Sequence, residues 1–141
     1  MSYLENYFNR VPRELRKSSA IAYMAAFDHL KTNHPFIVEK IIQELQDQRC
    51  FLKLIASENY CSESVQLAMG NWLTDKYAEG YPYHRFYAGC DNIDAIEAAC
   101  VGEAKAIFQC EHAYVQPHSG ADANLVAFWA ILVARIQNKQ V

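Results

Sequence analysis

The chain has 141 residues, of which 52% are hydrophobic and 21% are charged, and its formal net charge is −3. This length suits one modest globular core, and the slight negative charge gives no reason to expect nucleic acid or an anionic membrane as a partner. Nine tyrosines and seven phenylalanines argue against intrinsic disorder.

The cysteines and the N-terminal residues indicate a compartment. None of the five cysteines belongs to a C-x-x-C pair, which argues against a zinc site and predicts reduced thiols, most of them packed as small hydrophobes. Residues 1–17 lack the continuous apolar run of a targeting signal, and the longest apolar run, residues 125–134, is too short to cross a bilayer. We therefore expect a cytoplasmic protein without a metal site.

Two helices are predicted in the first third of the chain. Residues 1–12 are expected to be irregular, and Pro12 is expected to begin a helix whose apolar residues share one face. Asn33, His34 and Pro35 break this helix and begin another. The second helix carries an apolar stripe formed by Ile37, Ile41, Leu45 and Leu52, with Val38 and Ile42 beside it. Such an amphipathic helix needs a surface to pack on, either within the chain or on a second chain.

A polar cluster and a short helix follow. Ser57-Glu58-Asn59 comes directly after apolar residues 54–56, as expected for a loop that leaves the core or for a plain turn. Ser62 is a predicted N-cap, and the helix after it is expected to reach about Asp75, with Gly70 inside it at a point of close packing.

Residues 76–89, K-Y-A-E-G-Y-P-Y-H-R-F-Y-A-G, show neither helical nor strand periodicity and are expected to form a loop. Five aromatic residues in a loop of this length indicate a function or an interface. Glu79 is the one carboxylate of the loop, and its place among aromatic rings suits a proton donor. An exposed glutamate in a turn is the alternative interpretation.

The last third of the chain predicts a helix, a strand and a second helix. Asp91 is expected to open the first helix, and residues 113–115 predict a strand that ends before Pro117. Ser119 and Gly120 then open a helix to about Gln137, which is apolar on nearly every side and must be covered by other protein. A strand–turn–helix of this kind offers backbone N–H groups to a phosphate, although a simple N-cap at Ser119 gives the same pattern.

Three segments together resemble serine hydroxymethyltransferase. They are L-I-A-S-E-N-Y at 54–60, K-Y-A-E-G-Y-P-Y-H-R-F-Y-A-G-C at 76–90 and Y-V-Q-P-H-S-G-A-D-A-N at 114–124. The resemblance runs from about residue 42 to residue 132, in the order and at the spacing of the family. Members of the family use pyridoxal 5′-phosphate (PLP) to move a one-carbon unit between serine and tetrahydrofolate, and they are several times longer than this chain.

The resemblance implies an α/β fold of the aspartate-aminotransferase type, fold-type I among PLP enzymes. This chain would hold only the N-terminal arm and the start of the large domain, and would be mainly α with one or two short strands. The implied divisions are an extension helix at 1–33, an arm helix with a dimer and active-site loop at 34–90, and the start of the PLP-binding domain at 91–141. A homodimer or a higher oligomer is implied, with active sites that borrow residues from the neighbouring subunit.

The resemblance also implies roles for particular residues. Glu79, Tyr87 and Ser57 would be catalytic: Glu79 transfers a proton at the substrate hydroxyl, Tyr87 lines the site, and Ser57 holds the amino acid. The implied cofactor-binding residues are Tyr77, Ser119, Gly120, Ala121 and Asn124. Ala121 replaces a hydroxyl residue of the family pattern and Asp122 replaces a glutamine. One phosphate donor is therefore missing, and a carboxylate lies close to the expected anion.

The lysine that binds the cofactor in the family comes later in the family's order, and none of the seven lysines here lies in its motif. The interpretation is therefore an N-terminal fragment of an enzyme that uses serine, glycine and tetrahydrofolate, inactive as the 141-residue chain alone. The alternatives are a threonine aldolase, against which K-Y-A-E-G-Y-P argues, and a non-catalytic module that pairs with a full-length subunit. A serine hydrolase built on His118-Ser119-Gly120 lacks the G-x-S-x-G elbow.

Overall fold

The computed structural model of the chain describes residues 1–136 and places them in two compact units, Met1–Gly70 and a second unit that begins at Asn71. Among these residues there are six α-helices and one two-stranded sheet. In chain order they are α1 (Tyr3–Arg10), α2 (Ser18–Asn33), α3 (Pro35–Cys50), α4 (Glu63–Met69), β1 (Gly80–Tyr81), β2 (His84–Arg85), α5 (Asp91–Phe108) and α6 (Gly120–Arg135). The described chain is thus mainly α, as expected.

The prediction of an irregular N-terminus is wrong, because α1 begins at the third residue. Ser2 is its N-cap, and the Ser2 hydroxyl oxygen accepts a hydrogen bond from the Glu5 N–H at 3.0 Å. The Glu5 carboxylate in turn accepts from the Ser2 N–H at 3.3 Å, which completes a capping box. The S-x-x-E spacing of this box is visible in the sequence and is the signal that points to the helix.

A side chain distant in sequence stabilises the same helix end. Asp28, on α2, accepts hydrogen bonds from the N–H groups of Tyr3 at 2.6 Å and Leu4 at 3.0 Å. Loss of solvent around this carboxyl raises its pKa, but these hydrogen bonds act in the opposite direction, and the pKa of Asp28 lies below its ordinary value. α1 is therefore fixed to α2 at its N-terminus.

The next two helices, α2 and α3, lie on either side of the predicted break. Pro12 precedes a short 3-10 turn rather than a helix, and α2 begins only at Ser18. The break at residues 33–35 is confirmed, since α2 ends there and Pro35 begins α3, where its missing N–H costs nothing. α1, α2 and α3 pack in succession, each against the next.

The apolar stripe of α3 is left uncovered. Val38, beside the stripe, is the buried residue of α3 with 1% of its surface exposed. Ile37, Ile41 and Leu45 keep 42–47% of their surface exposed, and Leu52 lies beyond the end of the helix. Packing within the described chain does not satisfy the stripe, which leaves a second chain or a further segment as its cover.

The short helix α4 is capped as predicted but ends earlier. The Ser62 hydroxyl oxygen accepts from the Val65 N–H at 3.3 Å. The prediction that the helix continues through Gly70 is wrong, because Gly70 is the C-cap and a separate 3-10 helix, Trp72–Asp75, follows. Close packing is not the reason for this glycine, since a Cβ at Gly70 would meet no heavy atom within 4 Å.

The aromatic loop contains a hairpin that its sequence pattern did not predict. β1 and β2 are antiparallel, with Gly80 opposite Arg85 and Tyr81 opposite His84. Gly80 has φ 108°, and a Cβ there would collide with the His84 carbonyl oxygen, so the hairpin requires glycine at this position.

Conversely, the strand predicted at residues 113–115 does not form. A parallel strand is stable only beside a neighbour that completes its hydrogen bonds, and no strand within residues 1–136 lies beside this segment. The β-branched and aromatic residues of this segment favour a strand, but the neighbouring strand that would pair with it is missing from the described residues.

α5 begins at Asp91 as predicted and ends before Gln109, which has φ 50°. α6 begins at Gly120 as predicted, while the predicted end at Gln137 lies outside the described residues. Within the described range α6 has no buried residue, and Phe128 and Trp129 keep 62% and 66% of their surface exposed.

Three further expectations concern membrane-spanning helices, metal ligands and cysteines. No helix within residues 1–136 has both the length and the apolar character needed to span a bilayer. Nor does this part of the chain contain a group of three or more His, Cys, Asp or Glu side chains that could hold a metal ion. All five cysteines are free thiols, but only Cys90 is buried, so the prediction that most of them pack in a core is wrong.

The exposed apolar surface leads to a prediction about association. We expect the 141-residue chain to self-associate in sedimentation velocity experiments, because α6 and the α3 stripe bury little apolar area. Phe128→Glu should weaken the association about tenfold or more, since burying a phenylalanine is worth about 1.5–3 kcal/mol. Asn9→Glu, which adds the same charge to an exposed polar position of α1, is the control. A compact, cooperatively unfolding monomer would contradict the prediction.

Candidate active site

A buried arginine holds the aromatic loop in place. Only 4% of the Arg85 side chain is exposed, although Arg85 belongs to the two-residue strand β2. Its Nε donates to Asp94 Oδ1 at 2.7 Å, and its Nη2 donates to Glu97 Oε2 at 2.6 Å. Asp94 and Glu97 are three residues apart on α5, which places both carboxylates on one face of the helix. One guanidinium therefore joins the hairpin to α5.

The remaining hydrogen bonds of Arg85 go to the backbone of its own loop. Nη1 donates to the carbonyl oxygens of Ala78 and Gly80, each at 2.9 Å. The planar guanidinium suits this arrangement because it presents several donors in fixed directions. The carbonyl groups on either side of Glu79 are thus fixed by the same side chain that joins the loop to α5.

The charges of this network reinforce one another. The hydrogen bonds that Arg85 donates to the carboxylates of Glu97 and Asp94 raise its pKa, against the opposing effect of desolvation. The hydrogen bond from Arg85 lowers the pKa of Asp94, although desolvation acts to raise it, and the N–H of Tyr83 lowers it further. Asp94 therefore stays ionised in the folded chain at pH values where a free aspartate begins to take up a proton.

Asp94 also stabilises an unfavourable backbone conformation. Tyr83 has φ 65° in the hairpin turn, a conformation that residues other than glycine adopt rarely. Its N–H donates to Asp94 Oδ2 at 3.1 Å. The second carboxylate oxygen of Asp94 thus holds the turn, while the first holds Arg85.

Gln116 joins the segment before α6 to the same network. Its Nε2 donates to the Gly80 carbonyl oxygen at 2.8 Å and to Glu97 Oε1 at 2.7 Å. Its own side-chain oxygen accepts from the Tyr114 hydroxyl at 2.9 Å. Every polar atom of the Gln116 side chain is therefore engaged, and the loop, α5 and the segment leading to Ser119 meet at this amide.

A cleft of ≈ 710 Å³ lies between the aromatic loop and the segment that leads to α6. Its lining residues come from the loop, from α5 and from residues 115–118. They are Lys76, Tyr77, Ala78, Glu79, Gly80, Arg85, Glu97, Val115, Gln116, Pro117 and His118.

Two of the residues assigned to the site by resemblance, Tyr77 and Glu79, line this cleft, and a third, Tyr87, contacts both of them. The rings of Tyr77 and Tyr87 meet edge to face with centroids 5.7 Å apart, and the Tyr87 hydroxyl donates to Glu79 Oε2 over a long 3.4 Å. Behind them the buried Cys90 thiol lies 3.5 Å and 3.4 Å from the carbonyl oxygens of Tyr77 and Tyr87. Tyr77, Glu79 and Tyr87 are all exposed, so the Glu79 carboxyl is open to a ligand.

The predicted phosphate turn is the capped N-terminus of α6. The Ser119 hydroxyl oxygen accepts from the Asp122 N–H at 3.1 Å, and the same hydroxyl donates to Asp122 Oδ2 at 2.9 Å. The N–H groups of Gly120 and Ala121 have no acceptor within the described residues. The backbone therefore offers two donors, while the serine hydroxyl already serves the helix.

The two other predicted residues lie elsewhere. Asn124 is exposed on α6, one turn after Gly120. Ser57 lies in the first unit, exposed in a turn that is closed by a hydrogen bond from the Glu58 N–H to the Ile55 carbonyl oxygen at 3.0 Å.

The supporting residues of the site were absent from the sequence-based assignment. They are Arg85, Asp94, Glu97 and Gln116. The sequence offers one usable signal: two carboxylates three residues apart near the start of a predicted helix, closely preceded by an arginine in an aromatic loop. No sequence pattern predicts a role for Gln116, since a single glutamine before a proline occurs in many structural contexts.

The lowered pKa of Asp94 leads to a prediction about acid sensitivity. Above the pKa of an unfolded-state aspartate, about 3.9, the ion pair contributes fully to the free energy of unfolding. This contribution is lost as the pH falls through the lower pKa that Asp94 has in the folded chain. The urea midpoint, followed by tyrosine near-UV circular dichroism, should therefore fall between pH 5 and pH 3.

Asp94→Asn should lower the midpoint already at pH 7 and make its acid dependence shallower, because the titrating group has been removed. Asp75→Asn, at an exposed position of the second unit, is the control and should keep the full dependence. Equal pH slopes for Asp94→Asn and the unsubstituted chain would contradict the assignment of the ion pair.

Known proteins match this chain over most of its length. The family model for serine hydroxymethyltransferase matches residues 30–138. The serine hydroxymethyltransferase of Treponema pallidum (strain Nichols) is 59% identical over 128 residues, which cover 91% of this chain and 22% of that protein. Those of Chlamydia abortus and Chlamydia muridarum are 55% and 54% identical, cover 99% of this chain, and are themselves covered to 27% and 28%.

The comparisons decide between the interpretations of the sequence. The chain spans about a quarter of the length of these curated relatives, in their N-terminal part. The family model begins at residue 30, whereas the alignments with the chlamydial relatives cover nearly the whole chain and so include most residues of α1 and α2 as well. The matches favour a fragment of this enzyme family over a threonine aldolase, a serine hydrolase or a non-catalytic module that pairs with a full-length subunit. The chain belongs to the serine hydroxymethyltransferase family.

Proposed function

We propose that the full-length protein carrying this segment is a PLP-dependent enzyme of fold-type I that converts serine and tetrahydrofolate to glycine and 5,10-methylenetetrahydrofolate. Family membership supports the reaction and the fold. The observation that carries the proposal within this chain is the exposed cluster in which the Tyr87 hydroxyl donates to Glu79 and the Tyr87 ring packs edge to face on Tyr77. The 141-residue chain alone is proposed to be inactive, because none of its lysines matches the family's cofactor-binding motif.

The N-terminus of α6 fits the phosphate of the cofactor through its backbone. The N–H groups of Gly120 and Ala121 would bind phosphate oxygens, and the positive end of the helix dipole favours an anion there. Ser119 would hold the helix end in position rather than donate its proton, since its hydroxyl already donates to Asp122. The Asp122 carboxylate weakens this attraction. When bound, PLP supplies an electron sink for charge that develops at the α-carbon of the amino acid.

Glu79 and Tyr87 would act at the substrate hydroxyl. Glu79 Oε2 would receive and return the proton of the serine side chain, and the Tyr87 hydroxyl, which already donates to this oxygen, would orient it. The edge-to-face contact with Tyr87 would fix the ring of Tyr77, whose hydroxyl would bind the cofactor phosphate. Ser57 would hold the amino-acid substrate, and Asn124 would lie near the cofactor.

The proposed assembly is a homodimer or a higher oligomer in which the aromatic loop serves the site of the neighbouring subunit. The exposed stripe of α3 supports this, because Ile37, Ile41 and Leu45 need a cover that the described residues do not supply. The uncovered surface of α6 has the same need and suits the interior of a larger domain.

The role of Glu79 is tested in the full-length enzyme. Glu79→Gln should lower serine turnover with tetrahydrofolate by about 10²-fold to 10⁴-fold, because it removes a proton-transfer group and keeps the shape of the side chain. The amount of bound PLP, released with alkali and measured by absorbance, should stay nearly unchanged.

Glu103→Gln, which removes an exposed carboxylate from α5, is the matched control and should turn over serine at the normal rate. Normal turnover by the Glu79 variant would remove Glu79 from the catalytic residues. A full-length enzyme that binds no PLP and turns over no serine would overturn the proposed function itself.

A further inference from the structure

We propose that Tyr23, on α2, is a positioning residue: its hydroxyl holds one end of the exposed segment that carries Ser57. This gives a role to the N-terminal helices, most of which precede the match to the family model at residue 30. The inference rests on the proposed function, since Ser57 is proposed to hold the amino-acid substrate. All the residues involved belong to the first unit.

The segment at residues 51–62, which joins α3 to α4 and is called the Ser57 segment below, has little to hold it in place. Every residue in it is exposed, and Leu52 and Leu54 each keep 90% of their surface exposed. Its turn is closed by the hydrogen bond from the Glu58 N–H to the Ile55 carbonyl oxygen. A segment without buried side chains opens easily unless its ends are fixed. The position of Ser57 therefore depends on contacts at the two ends.

Tyr23 supplies the contact at the C-terminal end. Its hydroxyl donates to Gln66 Oε1 on α4 at 2.7 Å, across 43 residues of sequence. Gln66 lies in the first turn of α4, where its own N–H donates to the carbonyl oxygen of Ser62 at 3.2 Å. Ser62 is both the last residue of the Ser57 segment and the N-cap of α4. The hydrogen bond to Gln66 thus fixes the helix end at which the segment finishes.

The electrostatic surroundings of the Tyr23 hydroxyl keep it a donor. Loss of solvent raises the pKa of Tyr23, and the negative charges of Glu63 and Cys61 raise it further. These two residues flank Ser62 in the sequence, so the hydroxyl lies near the junction of the Ser57 segment and α4. A phenol whose pKa is raised remains protonated at neutral pH and donates to the Gln66 amide oxygen.

The ring of Tyr23 is supported by other aromatic side chains. It packs on Phe27, one turn further along α2, with ring centroids 6.1 Å apart. On α1, Tyr3 meets the same Phe27 ring edge to face, also at 6.1 Å. The ring of Tyr23 therefore belongs to a small cluster that α1 and α2 form together. Tyr23→Phe keeps the ring in this cluster and removes only the hydroxyl.

The N-terminal end of the Ser57 segment is held on the neighbouring helix. Lys53, four residues before Ser57, donates from Nζ to Glu44 Oε1 on α3 at 2.7 Å. Both side chains are partly exposed, and ion pairs of this kind stabilise little. Since α2 and α3 pack against each other, Tyr23 and Glu44 hold the two ends of the segment on one support.

The first test is amide hydrogen exchange in the full-length enzyme, followed by mass spectrometry. In Tyr23→Phe the stretch 57–66, which includes the bonded N–H groups of Glu58 and Gln66, should exchange about threefold faster or more, because a hydrogen bond that closes it is lost. Gln66→Leu removes the acceptor and should have the same effect. Tyr3→Phe, which removes a hydroxyl from the other tyrosine packed on Phe27, is the control and should exchange normally.

The second test separates positioning of Ser57 from a general loss of stability. Tyr23→Phe should raise KM for serine about threefold to tenfold and leave kcat nearly unchanged, because a substrate-binding side chain is displaced and the reacting groups are not. Ser57→Ala should raise KM for serine as well. In the double variant the Tyr23 substitution should have little further effect, since Tyr23 acts through Ser57.

Normal exchange of 57–66 in Tyr23→Phe would overturn the positioning role. So would a rise in KM for serine by the same factor with and without Ser57, because Tyr23 would then act independently of that side chain. If the unsubstituted enzyme turns over no serine but Tyr23→Phe still speeds exchange of 57–66, the proposed function fails and the role of Tyr23 in holding the segment stands.

Discussion

The second unit depends on one buried guanidinium. Arg85 is a charge with almost no access to solvent, which is unfavourable unless partners replace the lost water. Two carboxylates of α5 and two carbonyl oxygens of the loop are those partners. The hairpin is too short to be stable by itself, since a sheet of two residues per strand buries little surface. The loop that carries Tyr77, Glu79 and Tyr87 therefore takes its shape from the arginine and not from the strands.

The hydrogen bonds of Arg85 also explain how the loop keeps a defined shape although the apolar core is small. Among the described residues, Val38 and Cys90 are the buried hydrophobic residues, so apolar packing contributes little to holding the loop. Directed hydrogen bonds define a local geometry without a large core, and they do so here through Arg85, Asp94, Glu97 and Gln116. The apolar surfaces of α3 and α6 stay exposed among the described residues. The chain thus combines a well-defined hydrogen-bond network with exposed apolar helix surfaces. Both features are expected of a segment that belongs to a larger enzyme.

The sequence predicted the features that depend on local signals. The helix starts at Pro35 and Gly120 follow from a breaker and a capping residue, the start at Asp91 follows from acidic residues in the first turn, and the motifs identified the family. It failed where distant partners decide the outcome. The segment at 113–115 has strand propensity but no neighbouring strand, and the hairpin exists because Arg85 finds two carboxylates nine and twelve residues away. Gln116 escaped notice for the same reason, since two of its three partners lie 36 and 19 residues away.

The most direct test of this account is limited chymotrypsin digestion of the 141-residue chain carrying Arg85→Gln. If the guanidinium holds the loop, cleavage after the aromatic residues at 77–87 should be about tenfold faster or more than in the unsubstituted chain, because the loop opens more often. Arg13→Gln, which removes an arginine from the short 3-10 turn of the first unit, should leave the cleavage rate unchanged. Equal cleavage of the loop in the two variants would contradict the claim that Arg85 organises the site.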